Sequence, residues 1–161
     1  MSEILLGIGD IGASSMAEDT LVTMALGSCV AVVVRDPATG AVGMAHVALP
    51  GNPQDGVRPQ SIGYYADSAI PALLKAMERT GSNPMGRGLQ VKLIGGATIL
   101  DKMGSFNIGK RNVLAIKKTL WRYGLGSLAE DVGGEVSRTV RVEVSSGTVR
   151  VSSPGHPIWT V

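Results

Sequence analysis

The stretch "LGSCVAVVVRDPATGAVGMAHVALP", residues 26–50, decides how the rest of the chain is read. Its run "CVAVVVR" (29–35) is rich in β-branched valine, which suits the pleated surface of a strand. "DPATG" (36–40) puts Asp36 and Pro37 at the first two turn positions and leaves Gly40 free to take a left-handed conformation. "AVGMAHVAL" (41–49) then resumes as a second strand, so a β-hairpin is expected. The same stretch carries the only cysteine, Cys29, and one of the two histidines, His46. With Asp36 set opposite Gly40, counting back along both strands places Cys29 opposite a residue at or beside His46. Directly opposed side chains have Cβ atoms roughly 4.5–5.5 Å apart, close enough for an imidazole to reach a thiol. A one-residue shift of register turns His46 to the other face, so the pairing depends on the turn.

Outward from this hairpin the composition is that of a compact protein. The chain has 161 residues, 44% of them hydrophobic and 17% charged, which implies a single domain over 1–161 with a core of its own. The formal net charge is +2, and basic residues are mostly mixed with acids, so nucleic acid is not the expected partner. One cysteine forms no internal disulfide. The opening "MSEILLGIGD" has no basic n-region, and no segment approaches the ~18 apolar residues of a membrane helix. A cytoplasmic protein without membrane insertion is therefore expected.

Along the chain, "EILLGIGD" reads as a short strand running into glycine, and "LVTMALGSC" leads into the hairpin. "GNPQDGVRPQSIG" (51–63) has the composition of an exposed loop. In "YYADSAIPALLKAMERTG", Ala66, Ala69, Ile70, Leu73, Leu74 and Met77 fall at helical spacing. Pro71 inside that pattern is expected to kink the helix or mark its true start. "LQVKLIGGA" reads as a buried strand. "FNIGKRNVLAIKKTLWRYG" reads as a helix with Asn107 as N-cap and Gly124 just past its end. "LGSLAEDVGG", "SRTVRVEV" and "TVRVSS" alternate in the manner of edge strands, the last two forming a second hairpin at "SSG". Strands and helices are intermixed, which indicates an α/β or α+β protein with helices covering sheet faces.

The chemistry available to Cys29 depends on its neighbour. A free thiol is mostly protonated at neutral pH, whereas an adjacent imidazole takes the proton and makes sulfur a nucleophile, reactive toward iodoacetamide well below the ordinary thiol pKa. Gly27 and Ser28 leave room for substrate and for backbone N–H groups, those of Cys29 and Ser28, facing a developing oxyanion. Thr23 lies six residues before Cys29, an even separation that puts both on one face if the segment stays extended. Its hydroxyl would then meet the second imidazole nitrogen and orient the ring. The plainer alternatives are a buried cysteine acting as core filler, a histidine satisfied in the core and a locally bonded threonine.

Several separated stretches carry a resemblance. "TMALGSCVAVVVRD", "GMAHVALP", "IGGA", "NIGKRN" and "AEDVGG" followed by Arg138 occur in one order over most of the chain, and together they resemble the CheD family of chemoreceptor glutamine deamidases. The resemblance implies a hydrolase that converts selected glutamines of methyl-accepting chemotaxis receptors to glutamate without a metal or organic cofactor. It also implies a Cys-His-Thr triad formed here by Cys29, His46 and Thr23. The implied fold is a β-sandwich-like core with helices outside, similar to the catalytic domain of the cytotoxic necrotizing factor toxins, and an implied partner is a CheC-like phosphatase. Departures are small: Ala48 stands where H-x-M-L-P is common, and Val132 and Glu135 replace a threonine and an asparagine. A non-catalytic adaptor binding receptors or a CheC-like phosphatase, and a redox-sensing thiol protein, are the competing classes.

Other signals point elsewhere and are set aside. "GIGDIG" (7–12) satisfies G-x-G-x-x-G, but about ten residues to the next strand-like segment are too few for the crossover helix a dinucleotide site needs. Lys110, Arg111, Lys117, Lys118 and Arg122 are expected on the solvated face of a helix, available to an acidic partner. His156 lacks ligand spacing to His46, so no zinc site is expected.

Overall fold

The computed structural model of the chain describes residues 2–51, 61–99 and 107–161. Among the described residues ten strands and two helices run in the order β1 (Ser2–Leu6), β2 (Ile11–Ser14), β3 (Asp19–Leu26), β4 (Val30–Arg35), β5 (Val42–Val47), α1 (Ala66–Arg79), β6 (Gln90–Gly95), α2 (Ile108–Arg122), β7 (Ser127–Val132), β8 (Arg138–Glu143), β9 (Val149–Ser152) and β10 (Trp159–Thr160). They form two five-stranded sheets, β1-β3-β8-β9-β10 and β2-β5-β4-β6-β7. Each is mixed: β1 runs parallel to β3 and β6 parallel to β7, while the other pairings are antiparallel.

The class is thus α+β, and burial explains why the central hairpin is apolar throughout. One core gathers Leu21, Leu26, Val140, Val142 and Val151 of the first sheet against Ala31, Val33, Met44 and Ile94 of the second. A second core lies on the opposite face of the second sheet, where Val30, Val32, Ala45 and Val47 meet Ile70, Leu73, Met77, Ile116 and Leu120 of the helices. The layers are therefore sheet, sheet, helices. The second sheet is covered on both faces, so β4 and β5 cannot alternate apolar with polar residues as a half-exposed strand does. At about 25 cal/mol per Å2, each fully buried valine or leucine contributes ~1.5–3 kcal/mol before chain entropy is counted.

Four expectations change in detail. The hairpin turn is one residue longer than counted: Asp36 faces Ala41, donating to its carbonyl at 2.9 Å, and Gly40 N–H returns to Asp36 O at 2.8 Å. The Asp36 carboxylate accepts from Ala38 N and Thr39 Oγ1, stabilising the wider loop, and Gly40 takes φ 77°. Pro71 sits inside a continuous α1 rather than at its start; the backbone bond it removes is offset by the buried stripe Ala66, Ala69, Ile70, Leu73 and Met77. Asn107 does occupy the N-cap of α2, but with φ 49°, a left-handed conformation asparagine tolerates, not the extended one of a side-chain cap. Finally, β8 and β9 are not edge strands: β3 covers the open side of β8 and β10 that of β9, their alternation reflecting one face on the core and one toward solvent. The loop expectation at 51–63 falls mostly on residues 52–60, outside the described residues.

No helix among the described residues is long and apolar enough to cross a membrane. "GIGDIG" forms the β1–β2 turn with strand, not helix, after it, so the pyrophosphate-binding context is missing.

Candidate active site

The longer turn sets a register in which Ala31 faces His46 and Val30 faces Val47. Cys29 precedes β4, two residues from Ala31, so it shares the face of Ala31 and His46 and stands diagonal to the imidazole. It packs accordingly against the core between the sheets. Diagonal neighbours are ~7–8 Å apart at the backbone, within reach of longer side chains. The register differs by one from the count made on the sequence. The difference is favourable: an Asp36–Gly40 pairing taken strictly would have set Cys29 and His46 on opposite faces.

Thr23 reaches the same histidine from the other sheet. The idea of one extended segment holding Thr23 and Cys29 on a common face does not hold. β3 carries a bulge between Thr23 and Leu26, with Ala25 at φ 54°, and the chain bends at Gly27 and Ser28. The bulge re-aims the strand and the bends pass it from the first sheet to the second, so Thr23 and Cys29 face each other across the sandwich interior. Thr23 Oγ1 lies 2.6 Å from His46 Nδ1 and 2.7 Å from Leu6 O.

These two distances assign the imidazole tautomer. A hydroxyl has one proton, and Leu6 O can only accept it. Thr23 Oγ1 is therefore the acceptor toward His46, so Nδ1 carries the ring proton and Nε2 is the bare nitrogen. Nε2 is buried and has no hydrogen-bond partner among the described residues. Burial lowers the His46 pKa to about 4 against a weak opposing pull from Asp10, so the ring is neutral at pH 7 and able to accept a proton at Nε2. The main chain of His46 is fixed as well: Gly9 N donates to His46 O at 2.8 Å and His46 N to Asp10 O at 3.1 Å.

Cys29 is half-buried and free. Burial pushes its thiol up, partly offset by its own backbone N–H. Both groups are thus neutral at rest, unlike the ion pair expected from sequence. Chemically, a thiol and an imidazole nitrogen able to accept a proton share one face of the sheet.

Glycine-rich corners hold the Cys29 loop. Gly96 N donates to Cys29 O at 2.9 Å and Ala97 N to Gly27 O at 2.8 Å. A Cβ on Gly95, which has φ 121°, would lie 2.3 Å from Cys29 O, so no side chain fits there. Gly133 N donates to Gly95 O and Thr98 N to Gly134 O. The buried Arg138 adds Nη1 to Gly95 O at 3.3 Å, with Nε 3.5 Å from Asp131. The separated motifs "IGGA", "AEDVGG" and Arg138 meet here.

Sequence reading missed Asn112. Wholly buried on α2, its Nδ2 donates to Ser28 O at 2.9 Å and Ala48 O at 3.0 Å. A signal was present: Asn112 falls with Gly109, Ile116, Thr119 and Leu120 on the buried stripe, where a polar residue is expensive unless bonded. Ser28 is half-buried, its carbonyl held by that amide. Lys110, Arg111, Lys118 and Arg122 are exposed as expected, Lys117 pairs with Glu130 at 2.9 Å, and His156 is exposed. The described residues bring together no group of three or more His, Cys, Asp and Glu suited to a metal ion.

A free thiol and a tautomer-fixed imidazole thus lie on one face of a sheet, inside a two-sheet α+β fold. Comparison with known proteins is specific. Residues 48–153 match the family model described as CheD chemotactic sensory transduction. A probable chemoreceptor glutamine deamidase CheD of Syntrophotalea carbinolica is 48% identical over the full length of both chains. The chemoreceptor glutamine deamidase CheD of Thermotoga maritima is 38% identical over 94% of this chain and 92% of its own. Among solved structures, the hypothetical protein YfiH of Bacillus licheniformis aligns with a TM-score of 0.47 and 14% identity over 76% of this chain and 49% of that one. The chain belongs to the CheD family.

Proposed function

We propose that this chain is a cytoplasmic protein-glutamine amidohydrolase that converts selected glutamines of methyl-accepting chemotaxis receptors to glutamate, with Cys29 as nucleophile, His46 as general base and acid, and Thr23 orienting His46. The observation that carries this reading is the bare, buried Nε2 of His46 on the face it shares with Cys29, its other nitrogen tied to Thr23 across the sandwich. Inert packing demands no such arrangement, because a buried ring nitrogen left without a partner costs free energy. The relatives' printed names, chemoreceptor glutamine deamidase, support the substrate class.

The reaction follows from those positions. As Sγ bonds to the carboxamide carbon of a glutamine side chain, its proton passes to Nε2, and the oxyanion is held by the Cys29 N–H. The carbon–nitrogen bond then breaks and ammonia leaves with the proton from Nε2, giving a thioester. Water surrenders a proton to the same nitrogen and attacks; the carbon–sulfur bond breaks, sulfur recovers its proton and glutamate is released. Neither an oxidant nor a cofactor enters this sequence. A CheC-like phosphatase is part of the same reading, as a partner acting on the enzyme.

The test is incubation with a receptor cytoplasmic fragment and mass spectrometry of its peptides. Conversion of glutamine to glutamate is expected with the native protein and absent with Cys29→Ala. Undiminished conversion by Cys29→Ala would rule out the mechanism, and receptor binding with no conversion by the native protein would indicate an adaptor.

A further inference from the structure

We infer that Asn112 is a positioning residue for the oxyanion donor, a role that rests on the reading of Cys29 as nucleophile. Its single Nδ2 bonds two carbonyls, that of Ser28 just before the nucleophile and that of Ala48 two residues beyond the base. The β4–β5 ladder ends at Val30↔Val47, so beyond that pair the amide replaces the missing rung between the two segments carrying the chemistry.

The geometry of one peptide bond gives this contact its consequence. The chain has no cis peptide bond among its described residues, and in a planar trans peptide C=O and N–H point in opposite directions. Asn112 draws the Ser28 carbonyl toward α2, on the helix-covered face of the second sheet. The N–H of the same peptide, that of Cys29, is thereby aimed at the opposite face, between the sheets. His46 and Cys29 pack on that face. Unanchored, the Ser28–Cys29 peptide could rotate where the chain already bends, and the donor would leave the position where negative charge develops. The Asn112 Oδ1 is buried with no partner among the described residues. An unpaired buried acceptor is a cost that a leucine of similar size would avoid, so the site retains the amide for its donor.

The experiment compares deamidation with alkylation in Asn112→Leu. Attack on an amide builds an oxyanion, whereas alkylation of sulfur by iodoacetamide builds none. We expect kcat to fall about 100-fold or more, as when one oxyanion donor is lost, with KM within about twofold of native and the Cys29 alkylation rate falling far less than kcat. A folded variant, checked by circular dichroism, that retains kcat within about threefold, or loses alkylation in parallel with kcat, would refute the assignment. If Asn112→Leu does not fold, Asn112→Asp serves. A protonated carboxyl can donate to Ser28 O and a carboxylate cannot, so its kcat relative to native should rise as pH falls; a constant ratio would count against the role. Cys29→Ala separates the two readings: full activity there defeats the mechanism itself, while loss there with an unaffected Asn112 variant defeats only this inference.

Discussion

Thr23 has one proton, and by giving it to Leu6 O it leaves Nδ1 of His46 as the donor and Nε2 as the nitrogen with a bare lone pair. Thr23→Val removes that acceptor and strands a buried ring N–H, which costs about 1–3 kcal/mol of stability. It also frees the tautomer, so kcat should drop by about 10- to 100-fold while Thr23→Ser retains most of it. Nitrogen NMR of His46 checks the cause: native protein should show a protonated Nδ1, and Thr23→Val a mixture. Cys29 yields a second prediction at this scale. Because burial raises the thiol, the alkylation rate should climb through a midpoint above the ordinary thiol range; a midpoint several units lower would mean a preformed thiolate–imidazolium pair.

At the scale of elements, the placement of Cys29 depends on where strands stop. β4 and β6 end beside Cys29 and Gly95, and the chain passes from the bulged β3 to the second sheet just before Cys29. Two glycines of positive φ contrast what such corners tolerate. Gly40 has open space around its missing Cβ, so Gly40→Ala should cost only the ~1–2 kcal/mol of a left-handed residue and preserve activity. Gly95→Ala meets Cys29 O at 2.3 Å, adding ~1–3 kcal/mol of steric strain, displacing Cys29 and lowering activity. Urea denaturation and initial rates together test the pair: equal activity loss in both would argue against this account of the corner.

At the scale of the whole molecule, packing His46 between two sheets links its proton to stability. Its folded pKa, about 4, lies below the ordinary imidazole value of 6.5, so the folded state binds fewer protons in that window. Stability is therefore complete above about pH 6.5, falls as pH drops toward 4 and changes no further from this group below that. The contribution lost is about 3 kcal/mol at most. Asp36 and Glu130, whose pKa values are lowered, add losses only at pH below the ordinary carboxylate range. Urea titrations at pH 7, 6, 5 and 4.5 should show the decline in native protein and its absence in His46→Gln.

Most of the elements, and the hairpin that carries Cys29 and His46, were legible in the chain because they rest on local properties. Valine runs make strands, periodic apolar residues make α1 and α2, and Asp-Pro…Gly makes a turn regardless of what lies across the molecule. The strands Ile11–Ser14 and Trp159–Thr160 were not legible, being too short to show a period. Nor was the donor role of Asn112, since a polar residue on an apolar stripe does not name its acceptors. Most of all, the pairing of Thr23 with His46 spans 23 residues and two sheets. No local preference encodes it; it exists because two hydrophobic faces close on each other and leave one hydroxyl and one imidazole to satisfy each other where water is excluded.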